Sequence, residues 1–217
     1  MRYFDSNAVE ELPSRYKSNL IYTITGYKSA NLIGTVNRSG RANVAIFNSV
    51  VHLGSNPALL GFVLRPLTVR RDTYRNISEN RSFTVNAVTQ EIYEAAHQTA
   101  AKFEENESEF EMTGLKPIFR DEHIAPFVAQ SPIQLGCTYV NEYPIMENGC
   151  IFIVGRIEHI HVNESLLTED LWAKLDEEQI VSIVGLDGYA VPKIKDRLAY
   201  ARPDESPKSI LHGTQKV

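Results

Sequence analysis

Apolar residues along this chain arrive in short runs broken by turn-forming residues, a spacing that suits strands better than long helices. Ser29–Val36 and Val44–Val51 are predicted strands, joined by Asn37-Arg38-Ser39-Gly40, whose Asn and Gly tolerate the positive φ of a tight hairpin. Leu59–Leu64 is a continuous apolar run entered through Ser55-Asn56-Pro57 and stopped by Pro66, which reads as a buried third strand. Asp72 is placed to cap a short helix, Thr73–Asn80, and a strand over Ser82–Val88 follows. Ile92, Tyr93, Ala96 and Ala100 then recur at helical spacing, which predicts a helix over Thr89–Phe103 with Thr89 as its cap. Residues 104–117 are rich in Glu and contain Gly114 and Pro117, the mark of a solvated loop or lid.

The second half repeats the strand pattern. Ile133–Tyr143 and Cys150–His161, separated by Pro144–Gly149, read as an antiparallel pair that completes a barrel. Thr168, followed by Glu169 and Asp170 and by the apolar Leu171, Trp172 and Leu175, predicts another helix start. Gln179–Val184 is the last strand expected, and Pro203 and Pro207 mark the tail as an arm or a partly disordered end. The division expected is an N-terminal extension over 1–19, a mainly β domain with peripheral helices over 20–200, and a C-terminal arm over 201–217.

Composition narrows the function classes. At 217 residues and 43% hydrophobic content, the chain can bury a full core without a disulfide or metal. A formal charge of -5 opposes a nucleic-acid partner, whose phosphates call for the opposite balance. Cys137 and Cys150 sit in apolar strand-like runs without metal-ligand spacing and read as thiols in a reducing compartment, so a cytoplasmic location is expected. The N-terminus lacks an apolar signal core, and no run is long enough to span a membrane, so no membrane partner is expected.

Two stretches carry candidate chemistry. The glycines include no G-x-G and no G-x-x-x-x-G-K, so any nucleotide must be held without a dinucleotide fingerprint or P-loop. Arg65, Arg70, Arg71, Arg75 and Arg81 stand against only Asp72 and Glu79 in one stretch of an acidic protein. With Thr68, Thr73 and the first amides of the short helix, these guanidinium groups suit a terminal phosphate. The same run fits a solvated helix face, and charge alone does not separate the two. Upstream, NVAIFNSVVHLGSNP ends a strand at Asn48, Ser49, Val50 and Val51, mixing polar donors with small apolar contacts. A flat ring that is apolar over most of its area but carries a few carbonyls and ring nitrogens needs such a mixture, and so does an ordinary polar strand end.

The order ANLIGTVNRSGRANVAIFNSV, SNPALLGFVLRP, RRDTYRNISENRSFTVNAV resembles the flavin-reductase-like, FMN-binding split-barrel family over roughly residues 25 to 160. The linked segments are the hairpin, the polar strand end, S-x-P, R-P, D-T-x-x-N-I and F-T-V-N. The resemblance implies a split β-barrel and a homodimer with flavin at the interface. It puts the FMN ring near Asn48, Ser49, Val50 and Val51, and the phosphate near Arg65, Thr68, Arg70, Arg71, Asp72 and Thr73. It further implies NADH or NADPH as hydride donor and a small molecule or protein as electron acceptor. Asn86, in F-T-V-N, would support the site or serve the fold. The flavin would do the chemistry, which accounts for the lack of an acid/base triad.

His52, just past the strand end, is the one candidate catalytic side chain, against a rim histidine bonded to backbone. His97 and Tyr189 are candidate substrate or lid residues; Tyr189 follows the glycine-flanked turn Gly185-Leu186-Asp187-Gly188, and a packed loop is its plainer reading. His159 and His161 share a strand face without a pattern that completes a zinc set, so no metal is expected. A flavin-binding electron carrier or sensor, and a non-flavin split barrel binding haem or serving as a structural dimer, are the rival classes.

Overall fold

The computed structural model describes residues 1–104 and 107–211. Two helices open the chain, α1 (Ser6–Glu10) and α2 (Ser14–Ile24), followed by a short strand β1 (Lys28–Ser29). Then come β2 (Asn31–Val36), β3 (Ala42–Phe47), β4 (Val51–Ser55), β5 (Ala58–Leu64), α3 (Asp72–Asn80) and β6 (Ser82–Ala87). The remainder holds α4 (Tyr93–Gln98), α5 (Glu109–Thr113), β7 (Pro117–Arg120), β8 (His123–Val128), the long strands β9 (Ile133–Ile145) and β10 (Cys150–Val162), and the short β11 (Ser182–Val184) and β12 (Gly188–Ala190). Seven strands form one antiparallel sheet in the order β3-β2-β6-β9-β10-β5-β4; β1-β11-β12 and β7-β8 form two small ones.

Along β2 and β6 the large sheet buries both faces, so that polar side chains such as Thr84 and Asn86 are enclosed there beside the apolar ones. On β2, Leu32 enters a core with Val44, Val88, Ile92, Phe110 and Ile183, while its neighbour Ile33 enters a second core with Phe62, Ile77, Phe83 and Ile153. The aromatic centre of the second core is Phe62, edge-on to Phe47 at 5.2 Å and to Phe83 at 5.6 Å between ring centroids. Close approach of β8 to this sheet requires a residue without Cβ at Gly34: a methyl there would stand 2.3 Å from the Pro126 carbonyl oxygen and 2.5 Å from Thr84 Oγ1.

The β2–β3 hairpin forms as its turn residues predict. Asn37 Oδ1 accepts from the Ser39 and Arg41 amides at 3.0 and 2.8 Å, and Gly40 takes φ 83°. The Ser82–Val88 strand and the Ile133–Tyr143 and Cys150–His161 pair also form, with ends shifted by one or two residues.

Four expectations need correction. The strand expected over Val44–Val51 ends at Phe47; Asn48–Val50 cross over to a new strand, β4, because Ser49 Oγ replaces a strand partner for Val63, bonding both its carbonyl and its amide at 3.1 Å. Asp72 does not cap α3: the cap position is Arg71, without a side-chain bond, and the Asp72 carboxylate instead takes Arg70 and Arg75, each at 2.8 Å. The helix expected over Thr89–Phe103 is confined to α4, since Thr89 is bridged to Ile180 and the Thr99 hydroxyl bonds back to the Ala96 carbonyl at 2.7 Å. No helix forms from Thr168, whose hydroxyl accepts from the Trp172 amide at 3.0 Å while Leu171 takes φ 62°.

Three further differences are smaller. The strand expected over Gln179–Val184 shortens to Ser182–Val184, with Gln179 at φ 51°. The stretch 104–117 contains α5, and β7 begins at Pro117; its residues 105 and 106, like 212–217 of the expected arm, lie outside the described residues. Helix α2 runs across residues 19 and 20, where an N-terminal extension was expected to end.

Gly34→Ala is expected to lower stability by about 1–3 kcal/mol, the usual cost of overpacking. Urea denaturation checks this; an unchanged midpoint would show that β8 can move away freely.

Candidate functional site

One cavity of about 720 Å³ opens where the chain leaves β3 and where it leaves β5, within the size range of small-molecule sites. Asn48 and Ser49 line one side; Arg65, Arg70, Arg71, Asp72 and Thr73 line another; His97 and Tyr189 border it from α4 and β12. The two candidate stretches are therefore walls of a single cavity. The Ser49–Val63 bonds explain why: they tie the end of β3 to β5, the strand that delivers Arg65.

Six candidate residues are not on the wall, among them Arg75, which pairs with Asp72, and Arg81, whose guanidinium lies over the Tyr139 ring at 3.8 Å. Val50 packs against the second core, Val51 and His52 are exposed on edge strand β4, and Thr68 lies in the turn before Val69. His52, the candidate catalytic side chain, is thus outside the cavity. Asn86 serves the fold: buried, it donates to the Leu32 carbonyl at 3.0 Å and accepts from the Val128 amide at 3.0 Å.

At the arginine end, α3 presents its first turn without a side-chain cap, and Arg71 Nε is buried with no hydrogen-bond partner. Unmade bonds of a buried cationic donor are costly, and free amides at a helix start attract anions. Arg70 and Arg75 are held by Asp72.

Sequence reasoning missed Glu109 and Asn43, which also line the cavity. Glu109 belongs to the acidic run expected to be solvated, yet it turns inward: burial pushes its carboxyl pKa up, Asp72 adds to the rise, and a hydrogen bond from Asn43 Nδ2 to Oε2 opposes it. The available signal was Phe110, an aromatic residue amid glutamates, now 1% exposed.

Residues 25–176 match the flavin reductase like domain family. The chain belongs to that family. A Shewanella frigidimarina structure assigned as a flavin reductase with a split barrel domain is 38% identical, with TM-score 0.89 over 93% of this chain and 100% of its own. Nitrilotriacetate monooxygenase component B from Bacillus cereus is 25% identical, with TM-score 0.80 over 91% of this chain and 98% of its own. An uncharacterized Halalkalibacterium halodurans protein is 28% identical over 177 residues, covering 79% of this chain and 83% of its own. The sheet described above is therefore a split barrel with peripheral helices, as the sequence resemblance implied.

Within this flavin-reductase-like frame, His97 Nδ1 and Tyr189 Oη are 2.9 Å apart, and Tyr189 also packs on the Tyr93 ring at 5.2 Å. The turn before Tyr189 is tied down by Asn48 Nδ2, which donates to the Gly185 carbonyl at 3.0 Å. Away from the cavity, His159 faces His123, and His161 lies 3.2 Å from Glu122, a carboxylate that no spacing in the sequence places there. Among the described residues no group of three or more His, Cys, Asp or Glu is arranged to hold a metal ion, and no helix is long and apolar enough to cross a membrane. Cys137 and Cys150 are free thiols.

Burial, followed by the nearby Asp187, pushes the Tyr189 phenol up to about 12. The phenol therefore stays protonated through neutral pH and can donate to a neutral His97. In an ultraviolet phenolate titration, Tyr189→Phe is expected to lower the absorbance gained near pH 12 by the share of one tyrosine and to leave the earlier part of the curve unchanged. Superimposable wild-type and variant curves would contradict this.

Proposed function

We propose that this protein is an FMN-binding oxidoreductase that uses NADH or NADPH to reduce flavin. The observation that carries the reading is Arg71 Nε, buried and without a partner in the cavity wall beside the uncapped start of α3. A phosphate oxygen would recover the lost hydrogen bond, and the cavity volume accommodates a ligand of flavin size. The residues present thus fit the cofactor that the family's name suggests.

In this reading Arg71, Arg65 and the first α3 amides hold the phosphate, with Thr73 beside them. Asp72 keeps Arg70 in place rather than meeting the ligand. Asn48 and the backbone around Ser49 border the ring; Val50, Val51 and Thr68 flank wall residues and shape the approach. When bound, FMN supplies the hydride chemistry, and the chain positions it and limits access of water. Tyr189 and His97 border the space left for a nicotinamide or another partner of the ring. Exposed Val51 and Leu53 on edge strand β4, with exposed Leu67 and Val69 near the arginine turn, support a homodimer with flavin near its interface. The electron acceptor is a small molecule or another protein, and the location is cytoplasmic.

Added FMN is expected to stimulate NADH or NADPH oxidation by the purified protein. Protein that binds FMN but is reduced by neither nicotinamide would select an electron carrier, and protein that binds no flavin would reject the assignment. Arg71→Ala is expected to weaken FMN by about ten- to hundredfold, as loss of a charge-assisted bond does, while leaving riboflavin nearly unaffected. Equal losses for both ligands would place the phosphate elsewhere.

A further inference from the structure

An arginine-lined phosphate pocket does not by itself call for a half-buried carboxylate, yet Glu109 lines the same cavity as Arg65, Arg70 and Arg71. It is held there by a buried polar network. Asn76 Nδ2 donates to Thr35 Oγ1 at 3.0 Å, Thr35 Oγ1 donates to Asn43 Oδ1 at 3.1 Å, and Asn43 Nδ2 donates to Glu109 Oε2. The network joins α3, β2, β3 and α5. Thr35 and Asn76 are buried away from the cavity wall, and Asn43 and Glu109 reach it.

A carboxylate offers about four lone-pair positions. Asn43 Nδ2 and the backbone amides of Val44 and Glu109 address it from the protein side, which leaves capacity for a donor from the cavity. The neighbouring acid cannot take that part, because Asp72 is engaged by Arg70 and Arg75. A phosphate in contact with Glu109 would meet like charge, whereas a hydroxyl can donate to the carboxyl in either protonation state. The ligand that satisfies both signs of this wall carries an anion for the arginines and hydroxyl donors next to it.

We infer that Glu109 is a specificity-determining acceptor for the hydroxyl groups of the ligand's polyol chain, and so selects a polyol-bearing flavin over a bare ring. The inference rests on the flavin assignment of the cavity. Asn43 acts through Glu109 as a positioning residue.

The test compares dissociation constants, by flavin fluorescence, for FMN, riboflavin and lumiflavin, which carry respectively polyol and phosphate, polyol alone, and neither. Wild-type binding of FMN is read first, and its absence overturns the flavin assignment and this inference together. Glu109→Ala is expected to weaken FMN and riboflavin alike, by about tenfold or more as loss of a bond to a charged group does, with lumiflavin changed by less than about twofold. Glu109→Gln retains an acceptor oxygen and should show the same pattern with a smaller loss; it decides the matter if thermal melting shows the alanine variant unfolded. Equal weakening of all three ligands would reduce Glu109 to a structural role. A change confined to FMN would place it against the phosphate, and no change for any ligand would remove it from the site; each of these overturns the inference.

Discussion

The constraint on which the rest depends is the burial of both faces of the seven-stranded sheet along β2 and β6. Because successive side chains of a strand point to opposite faces, Leu32 and Ile33 serve different cores, and β2 cannot slip by one residue without exchanging both sets. The fixed register sets where the chain leaves β3 and β5. Those two exits, bridged by Ser49, are where the cavity opens.

The polar residues of the site follow from the same geometry. Where both faces of the sheet are covered no solvated face is left, so the side chains of Thr35, Asn43 and Asn76 bond to one another, with Asn76 Oδ1 left without a partner. Their mutual bonds hold Glu109 beside the arginine end. The wall thereby carries both signs of charge at short range, while the overall charge of -5 describes only the average over the molecule.

Much of this was legible in the sequence because it is local. Turn chemistry at Asn37 to Gly40, the apolar run of β5 and the strand-like patterns of β6, β9 and β10 act over a few residues, and the arginine stretch and polar strand end were visible as composition. What escaped depends on distant partners. The single strand expected over Val44–Val51 breaks because Ser49 bonds Val63, and the helix expected from Thr89 is pre-empted by Ile180. Glu109 looked solvated because its neighbours are acidic, while its actual partner, Asn43, lies on a strand far upstream. Charge runs report the average surroundings of a segment, and one residue turned inward is lost in that average.

The paired Ser49 hydrogen bonds have a mechanical meaning as well. They fasten the segment bearing Asn48 to the strand bearing Arg65, and Asn48 is itself anchored to Gly185. The two ends of the cavity are therefore fastened to each other through main-chain groups, so a displacement of one strand exit is passed to the other, like the two arms of a caliper on one bar.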